Sequence, residues 1–280
     1  MIKVNLILGF LGAGKTTFIR SLLQRGMLDQ ERIVLVVNDY GPENYDATTL
    51  RETAVDIIEI TNGCLCCGNQ HEFQKILTEL AQREDLDRII IEPSGLFLPE
   101  QIVSLFSQKP LQTILKLEPV FVVVDMEFLA RSTRIWPPFI SRHIEFADYV
   151  ITNKEDSVSK EKSESVKHHL EQINKNALQC SFSAAIEHFT NPKRQFIQKE
   201  NIASIKSRHD ISFKSITEDI SFKDTEELKS FFDKQGHKLL RAKGIVLIDD
   251  KKIFVNYTQN CLETNPAAPS QSLGLSCFYA

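Results

Sequence analysis

The string Gly9-Phe10-Leu11-Gly12-Ala13-Gly14-Lys15-Thr16 is a complete G-x-x-x-x-G-K-[ST] phosphate-binding loop. It follows the apolar run Val4-Asn5-Leu6-Ile7-Leu8 and opens an amphipathic stretch from Thr16 to Arg25, which is the strand–loop–helix context such a loop requires. No other feature constrains the fold as much, because a buried strand must end at a helix N-terminus with only glycine-rich chain between them. Gly9, Gly12 and Gly14, with Ala13, let backbone N–H groups turn inward around phosphates, and the helix end adds partial positive charge. Lys15 is placed to reach the β- and γ-phosphates and the Thr16 hydroxyl to ligate Mg²⁺, with Thr17 the next residue of the same loop. A bound nucleoside triphosphate is the expectation.

At 280 residues the chain exceeds the usual single-domain size, and a hydrophobic content of 42% is ample for two cores. The net charge of −4 gives no support to nucleic-acid binding, which favours a basic face. No apolar run approaches the ~20 residues of a membrane span, so no membrane partner is expected. Lys3 before a short apolar stretch superficially imitates a signal peptide, but it runs straight into the phosphate loop and reads better as the first buried strand. Six cysteines, three of them within four positions, do not resemble a secreted disulfide framework, and the cytoplasm is the expected compartment.

Apolar strands alternate with amphipathic helices through the first two-thirds of the chain. Strands are expected at Arg32–Asn38, Asp56–Ile60, Arg88–Glu92, Val120–Asp125, Tyr149–Asn153 and Ala177–Ser181. Phe73, Ile76, Leu77 and Leu80 keep helical spacing, Gly26 suits a helix end, and Pro99 suits a first helical turn. This order predicts an α/β fold: a mainly parallel P-loop NTPase sheet with helices on both faces, over residues 1–189. Residues 190–208 are polar and read as a connector. Residues 209–280 read as a small α+β domain, with a strand at His209–Thr217 and a helix at Asp224–Gln235 capped by Asp224 or Thr225. A hairpin is expected from Gly244–Ile248 and Lys252–Tyr257 around Asp249-Asp250-Lys251, and Thr264–Ser272 is expected to be irregular.

Asn153-Lys154-Glu155-Asp156 follows the strand that ends at Asn153. An N-K-x-D string selects guanine, because the Asp156 carboxylate can accept both the N1–H and the exocyclic amino N–H, while the Lys154 stem lies across the base plane. Ser183-Ala184 can complete the base pocket through backbone groups. Glu92-Pro93-Ser94-Gly95 ends another buried strand, where Glu92 can hold Mg²⁺ or position the attacking water and the Gly95 N–H can approach the γ-phosphate. Asp39, closing the second strand, is a candidate switch carboxylate. Cys64-Leu65-Cys66-Cys67 places three thiols within four residues, a set that can converge on Zn²⁺, with Co²⁺, Ni²⁺ or Cu⁺ as alternatives. A redox pair or buried structural cysteines are the blander readings. Three thiolates leave a fourth position open, for which His71 is the nearest histidine. His168-His169 reads as a solvated helix face, Trp136 as a packing anchor, and Cys180, Cys261 and Cys277 as small buried residues.

Together these motifs resemble the CobW-like GTPases, relatives of the urease and hydrogenase nickel-insertion GTPases. The resemblance rests on the loop from Gly9 to Thr17, on Cys64-Leu65-Cys66-Cys67, Glu92-Pro93-Ser94-Gly95 and Asn153-Lys154-Glu155-Asp156, and on Arg241-Ala242-Lys243-Gly244. It implies a GTPase domain, a small C-terminal domain, and GTP-dependent handling or insertion of a transition metal for a client metalloprotein or metal-requiring cofactor pathway. By the same resemblance Cys64, Cys66 and Cys67 form the metal site, Lys15, Thr16 and Glu92 the phosphate and magnesium site, and a nucleotide-dependent homodimer is implied. Two departures stand out: Pro42 occupies the place of the family glutamate, with Glu43 one step later, and there is no His-rich stretch. The expected function is a GTP-hydrolysing metal chaperone. A P-loop kinase of a small molecule, against which N-K-x-D speaks, and a non-catalytic nucleotide-gated metal sensor are the alternatives.

Overall fold

The computed structural model describes residues 1–10, 12–26, 28–38, 56–60, 70–93, 95, 99–106, 111–131, 136, 138–193, 196, 212–216, 220–235, 239–258, 261–267, 269 and 273–279. These fall into two compact units, each built around one sheet.

The first unit carries an all-parallel sheet of β1 (Ile2–Gly9), β2 (Ile33–Asn38), β3 (Asp56–Ile60), β4 (Arg88–Glu92), β5 (Leu115–Leu117), β6 (Phe121–Asp125), β7 (Tyr149–Asn153) and β8 (Leu178–Ser181). Its order is β3-β2-β4-β1-β6-β7-β8; β5 pairs with the first half of β1 and β6 with the second. The central strands β1, β2, β4 and β6 are rich in Ile, Val and Leu because both of their faces are covered. On one face Ile7, Leu35, Ile90, Val123 and Ile151 pack with Phe18, Ile19 and Leu22 of α1 (Lys15–Gln24) and with Ile186 and Phe189 of α8 (Phe182–Thr190). The alternate residues Leu6, Val36, Ile91, Val122 and Val150 point the other way and are equally buried.

Between these elements lie α2 (Gln70–Ala81), α3 (Pro99–Phe106), α4 (Leu111–Ile114), α5 (Met126–Arg131), α6 (Pro138–Phe146) and α7 (Lys160–Ile173). Pro99 opens α3, where its missing N–H has no intrahelical acceptor to lose. Gly26, at φ 63°, ends α1 by turning its N–H onto the Leu23 carbonyl at 3.2 Å. Among the described residues no helix is long and apolar enough to cross a membrane.

A buried ion pair holds the N-terminal edge of this sheet. Arg88 on β4 donates from Nε and Nη2 to both Glu31 oxygens, from Nη1 to Asn5 Oδ1, and lies 5.3 Å from the Phe189 ring centroid. Lys3 Nζ donates to the same glutamate at 2.7 Å. Burial pushes the Glu31 carboxyl up, but the hydrogen bonds from Arg88 and Lys3 outweigh it and hold the group below the usual carboxylate value of 4.5. A depressed pKa stabilises the fold above the unfolded value and stops doing so as pH falls through the folded value. Glu31→Gln is therefore expected to cost about 3 kcal/mol at neutral pH, since it leaves Arg88 buried without its counter-charge. In urea melts the gap between wild type and variant should close on acidification below about 4; a gap independent of pH would contradict this account.

The second unit is a six-stranded sheet of β9 (Ser212–Ile216), β10 (Ser221–Phe222), β11 (Leu239–Ile248), β12 (Lys251–Thr258), β13 (Cys261–Pro266) and β14 (Gly274–Tyr279), ordered β13-β12-β11-β14-β9 with β10 beside β11. α9 (Thr225–Gln235) covers one face through Leu228 and Phe232, the latter stacked on Tyr257 at 4.3 Å. Asp224 caps α9 by accepting from Glu227 N at 2.9 Å, and the Glu227 carboxylate in turn accepts from Lys223 N at 2.7 Å.

Two expectations are corrected here. The β11–β12 turn is the pair Asp249-Asp250, both left-handed at φ 50° and 58°, with Lys251 already in the strand opposite Ile248. Residues 264–266, expected to be irregular, belong to β13, where Pro266 is tolerated because it ends an edge strand. β5, β10 and β14 had no local signal; β14 is recruited by pairing with β11 and β9 on its two sides.

Candidate nucleotide site

The C-terminal ends of β1, β4, β6 and β7 lie side by side, and their last residues are Gly9, Glu92, Asp125 and Asn153. In parallel α/β sheets this edge is where ligands bind. Gly9, Gly12 and Gly14 take φ of 138°, 75° and 105°, so the chain leaves β1 and enters α1 through backbone states that side chains resist. Gly14 stands at the N-cap of α1 with no side-chain cap hydrogen bond, and no acidic residue lies in the first turn. That helix end therefore presents N–H groups and dipole to an anion rather than to the protein's own carboxylates.

The direction of α1 is fixed by Phe18, fully buried and packed by ring contacts of 6.0 Å to Phe121, 5.4 Å to Phe182 and 6.3 Å to Phe189. Burying Phe18, Ile19 and Leu22 contributes about 1.5–3 kcal/mol each, which holds the loop's far end rigid. Lys15 is 7% exposed and its Nζ lies 3.4 Å from the Phe10 carbonyl, while Ala13 N donates to the same oxygen at 3.2 Å. Thr16 Oγ1 donates to Glu92 Oε1 at 2.9 Å, so the hydroxyl and the carboxylate read as a magnesium pair meet across 76 residues of chain. Gly95 is a buried turn residue just beyond β4, and Thr17 is exposed at the start of α1.

The N-K-x-D string is joined to the phosphate loop. Asn153 Nδ2 donates to Ala13 O at 2.8 Å, and Asn153 Oδ1 accepts from Lys154 N at 3.0 Å. Lys154 adopts a left-handed backbone, φ 58°, and its Nζ donates to Gly12 O at 3.2 Å and to Asp125 Oδ2 at 2.6 Å. Asp156 is exposed in the short 3-10 turn Glu155–Ser157, and among the described residues its carboxylate makes no hydrogen bond or ion pair. Ser183 and Ala184 open α8, where Ser181 Oγ accepts from Ala184 N at 3.3 Å.

Sequence reasoning missed Asp125 and the role of Glu155. Asp125 sits beside Asn153 in the β6–β7 register, holds Lys154 with one oxygen and accepts from Phe128 N at 3.0 Å with the other. A carboxylate ending an apolar strand, Phe121-Val-Val-Val-Asp125, was the available signal. Hydrogen bonds from Lys167 and Ser163 hold the Glu155 carboxyl below its usual value despite partial burial.

Asp39, Pro42, Glu43, Ser94 and the three cysteines Cys64, Cys66 and Cys67 lie outside the described residues. His71 falls in α2 with its side chain outside them. Among the described residues no group of three or more His, Cys, Asp or Glu side chains is arranged to hold a metal ion. His168 and His169 are exposed, the first 3.0 Å from Gln172 and the second edge-on to Trp136 at 4.4 Å. Trp136 is buried and donates to Leu129 O at 3.3 Å, as a packing anchor should. Cys277 is fully buried, and burial pushes the half-exposed Cys180 thiol up to about 11.

Known proteins are similar to this chain in sequence. The zinc chaperone CobW of Sinorhizobium sp is 41% identical over 136 residues, 46% of this chain and 38% of its own length. The zinc chaperone YjiA of Escherichia coli (strain K12) is 29% identical over 272 residues, 89% of this chain and 82% of its own length. A crystal structure of Zn(II)-bound YjiA GTPase from E. coli aligns with 99% of this chain and 93% of that one, at 20% identity and a TM-score of 0.49. The matches to that CobW and to the zinc chaperone CobW of Pseudomonas aeruginosa span less than two-fifths of their lengths, 38% and 37%. Residues 3–180 match the family model described as CobW/HypB/UreG, nucleotide-binding domain, and the chain belongs to that family.

Proposed function

We propose that this chain is a GTP-hydrolysing metal chaperone that binds a transition metal, zinc first, at Cys64-Leu65-Cys66-Cys67 and passes it to a client metalloprotein. The observation that carries this reading is the single site in which Thr16 meets Glu92 while Asn153 and Lys154 bond to the phosphate loop. Residues 1–189 serve as the GTPase domain, 190–208 as connector and 209–280 as the C-terminal domain. The names of the relatives, zinc chaperones in bacteria and a zinc-regulated GTPase metalloprotein activator in Dictyostelium discoideum, support zinc as cargo.

Lys15, with the N–H groups of Gly12 to Thr17, holds the triphosphate, and Asp156 reads guanine. A threonine hydroxyl and a carboxylate oxygen are the hard donors Mg²⁺ takes beside phosphate oxygens and water, so Thr16 and Glu92 fit that ion. When bound, the ion supplies charge to the β- and γ-phosphate oxygens. Asp39 and the Gly95 N–H respond to the γ-phosphate, and that response changes metal affinity at the cysteines. A tenfold change needs only about 1.4 kcal/mol of coupling.

Titrating Zn²⁺ and Co²⁺ against a competing chelator, with Mg²⁺ and either a non-hydrolysable GTP analogue or GDP, tests the coupling. Tight binding that differs at least tenfold between the nucleotides and is lost in Cys66→Ala is the expected result. Equal affinity in both nucleotide states, or binding that survives the mutation, would sink the chaperone reading.

A further inference from the structure

The turn carrying Asp156 is clamped from two sides, and among the described residues the side-chain hydrogen bonds on the second side are made by the residue at the x place of N-K-x-D. Asn153 and Lys154 hold the turn to the phosphate loop and to Asp125. Glu155 holds it to α7. Its Oε1 accepts from Ser163 Oγ at 2.6 Å and from Lys167 Nζ, while Thr152 Oγ1 stands 3.3 Å from its Oε2. Ser163 is 4% exposed, so the carboxylate is seated against a buried hydroxyl on the helix rather than lying free along its surface. Ser163 and Lys167 are one helical turn apart and present one face to it.

Asp156 is the next residue. It lies in a 3-10 turn closed by Ser157 N on Lys154 O at 3.3 Å and Val158 N on Glu155 O at 3.0 Å. With three residues per turn, neighbouring side chains diverge by about 120°, so seating Glu155 on α7 sets where Asp156 points. The Asp156 carboxylate is exposed and, among the described residues, unengaged, which leaves both oxygens for a base.

We propose that Glu155 is the positioning residue for guanine selection in this chain: clamped by Ser163 and Lys167, it pre-aims Asp156 at the base. The inference rests on the reading of Asn153–Asp156 as a guanine site. Its alternative is an ordinary, partly exposed ion pair, with side chains 35% and 41% exposed, that contributes only to stability. Pre-organisation of one such side chain changes affinity by about five- to tenfold, and only for a ligand that uses it.

Equilibrium binding of GTP, ATP and inorganic tripolyphosphate to the full chain, with Mg²⁺, separates these accounts. Wild type is compared with Glu155→Ala, Lys167→Met and the double variant, and thermal melts are recorded alongside. GTP affinity should fall about five- to tenfold in either single variant, with ATP and tripolyphosphate affinities unmoved and the double variant no worse than Glu155→Ala. Lys167→Met keeps the test sound should Glu155→Ala fold poorly, since it lies a full turn beyond Ser163 on the helix. A uniform loss for all three ligands, or a guanine preference intact in both variants, would overturn the inference alone. Equal GTP and ATP affinity in the wild type would overturn the guanine reading and the inference with it.

Discussion

Gly9→Ala is expected to disrupt the first unit's fold, lowering its melting temperature by about 10 °C or abolishing soluble expression. Gly9 sits at φ 138°, and a Cβ built there would lie 2.2 Å from the Val123 carbonyl oxygen. Val123 is Gly9's own partner in the β1–β6 register and is fully buried between β1 and β7. Its carbonyl cannot withdraw without breaking the sheet at the point where the phosphate loop begins. Backbone strain alone costs about 1–3 kcal/mol, and the clash adds to it, against a total stability of about 5–15 kcal/mol. Circular-dichroism melts decide it; a midpoint within about 2 °C of wild type would show that the strand end can shift. Gly14→Ala makes an instructive contrast. Its Cβ would meet Asn153 Nδ2 at 2.4 Å, a side-chain atom that can move, so the fold should survive while the bond from Asn153 to Ala13 is lost.

Lys15→Ala should weaken triphosphate binding about a hundredfold or more, whereas Glu92→Gln should leave binding nearly intact and slow hydrolysis by a similar factor. Lys15 is held almost fully buried inside the loop, with its ammonium against the Phe10 carbonyl, so phosphate oxygens can exchange for that acceptor without reorganising the chain. Alanine deletes the only lysine between Lys3 and Lys75, and no other lysine is available from that stretch to replace it. Glu92 contributes differently. It is 4% exposed and bonds Thr16 at 2.9 Å; in the function proposed above its charge balances Mg²⁺ and developing phosphate charge. Glutamine preserves the shape and removes the charge. Binding measured with a fluorescent GTP analogue and hydrolysis measured under single turnover separate the two effects. A Glu92→Gln protein that hydrolyses GTP at the wild-type rate would remove Glu92 from the proposed magnesium site.

Much of this architecture was legible from local pattern. The runs Arg88-Ile-Ile-Ile-Glu92 and Phe121-Val-Val-Val-Asp125 read as strands from composition, because continuous β-branched residues suit a strand buried on both faces. Pro99, Gly26 and Asp224 punctuate helices by chain geometry that needs no partner. β5, β10 and β14 were not legible, since each exists only through pairing: β14 through β11 and β9, β5 through the first half of β1. The run to Pro266 was misread for the same reason, its edge position being invisible to composition.

The sequence alone determined the phosphate loop, the alternation of the main buried strands with helices in the first unit, and the candidate magnesium, guanine and thiolate residues, because each is written in a short stretch of chain. Tertiary structure decided which of them meet. It brought Glu92 to Thr16 across 76 residues and Asn153 to Ala13 across 140, and it gave Lys154 the partner Asp125 and Glu155 the clamp on α7. Those meetings follow from the parallel register of β4, β1, β6 and β7, and a register is fixed by packing over the whole sheet rather than by the residues at its edge.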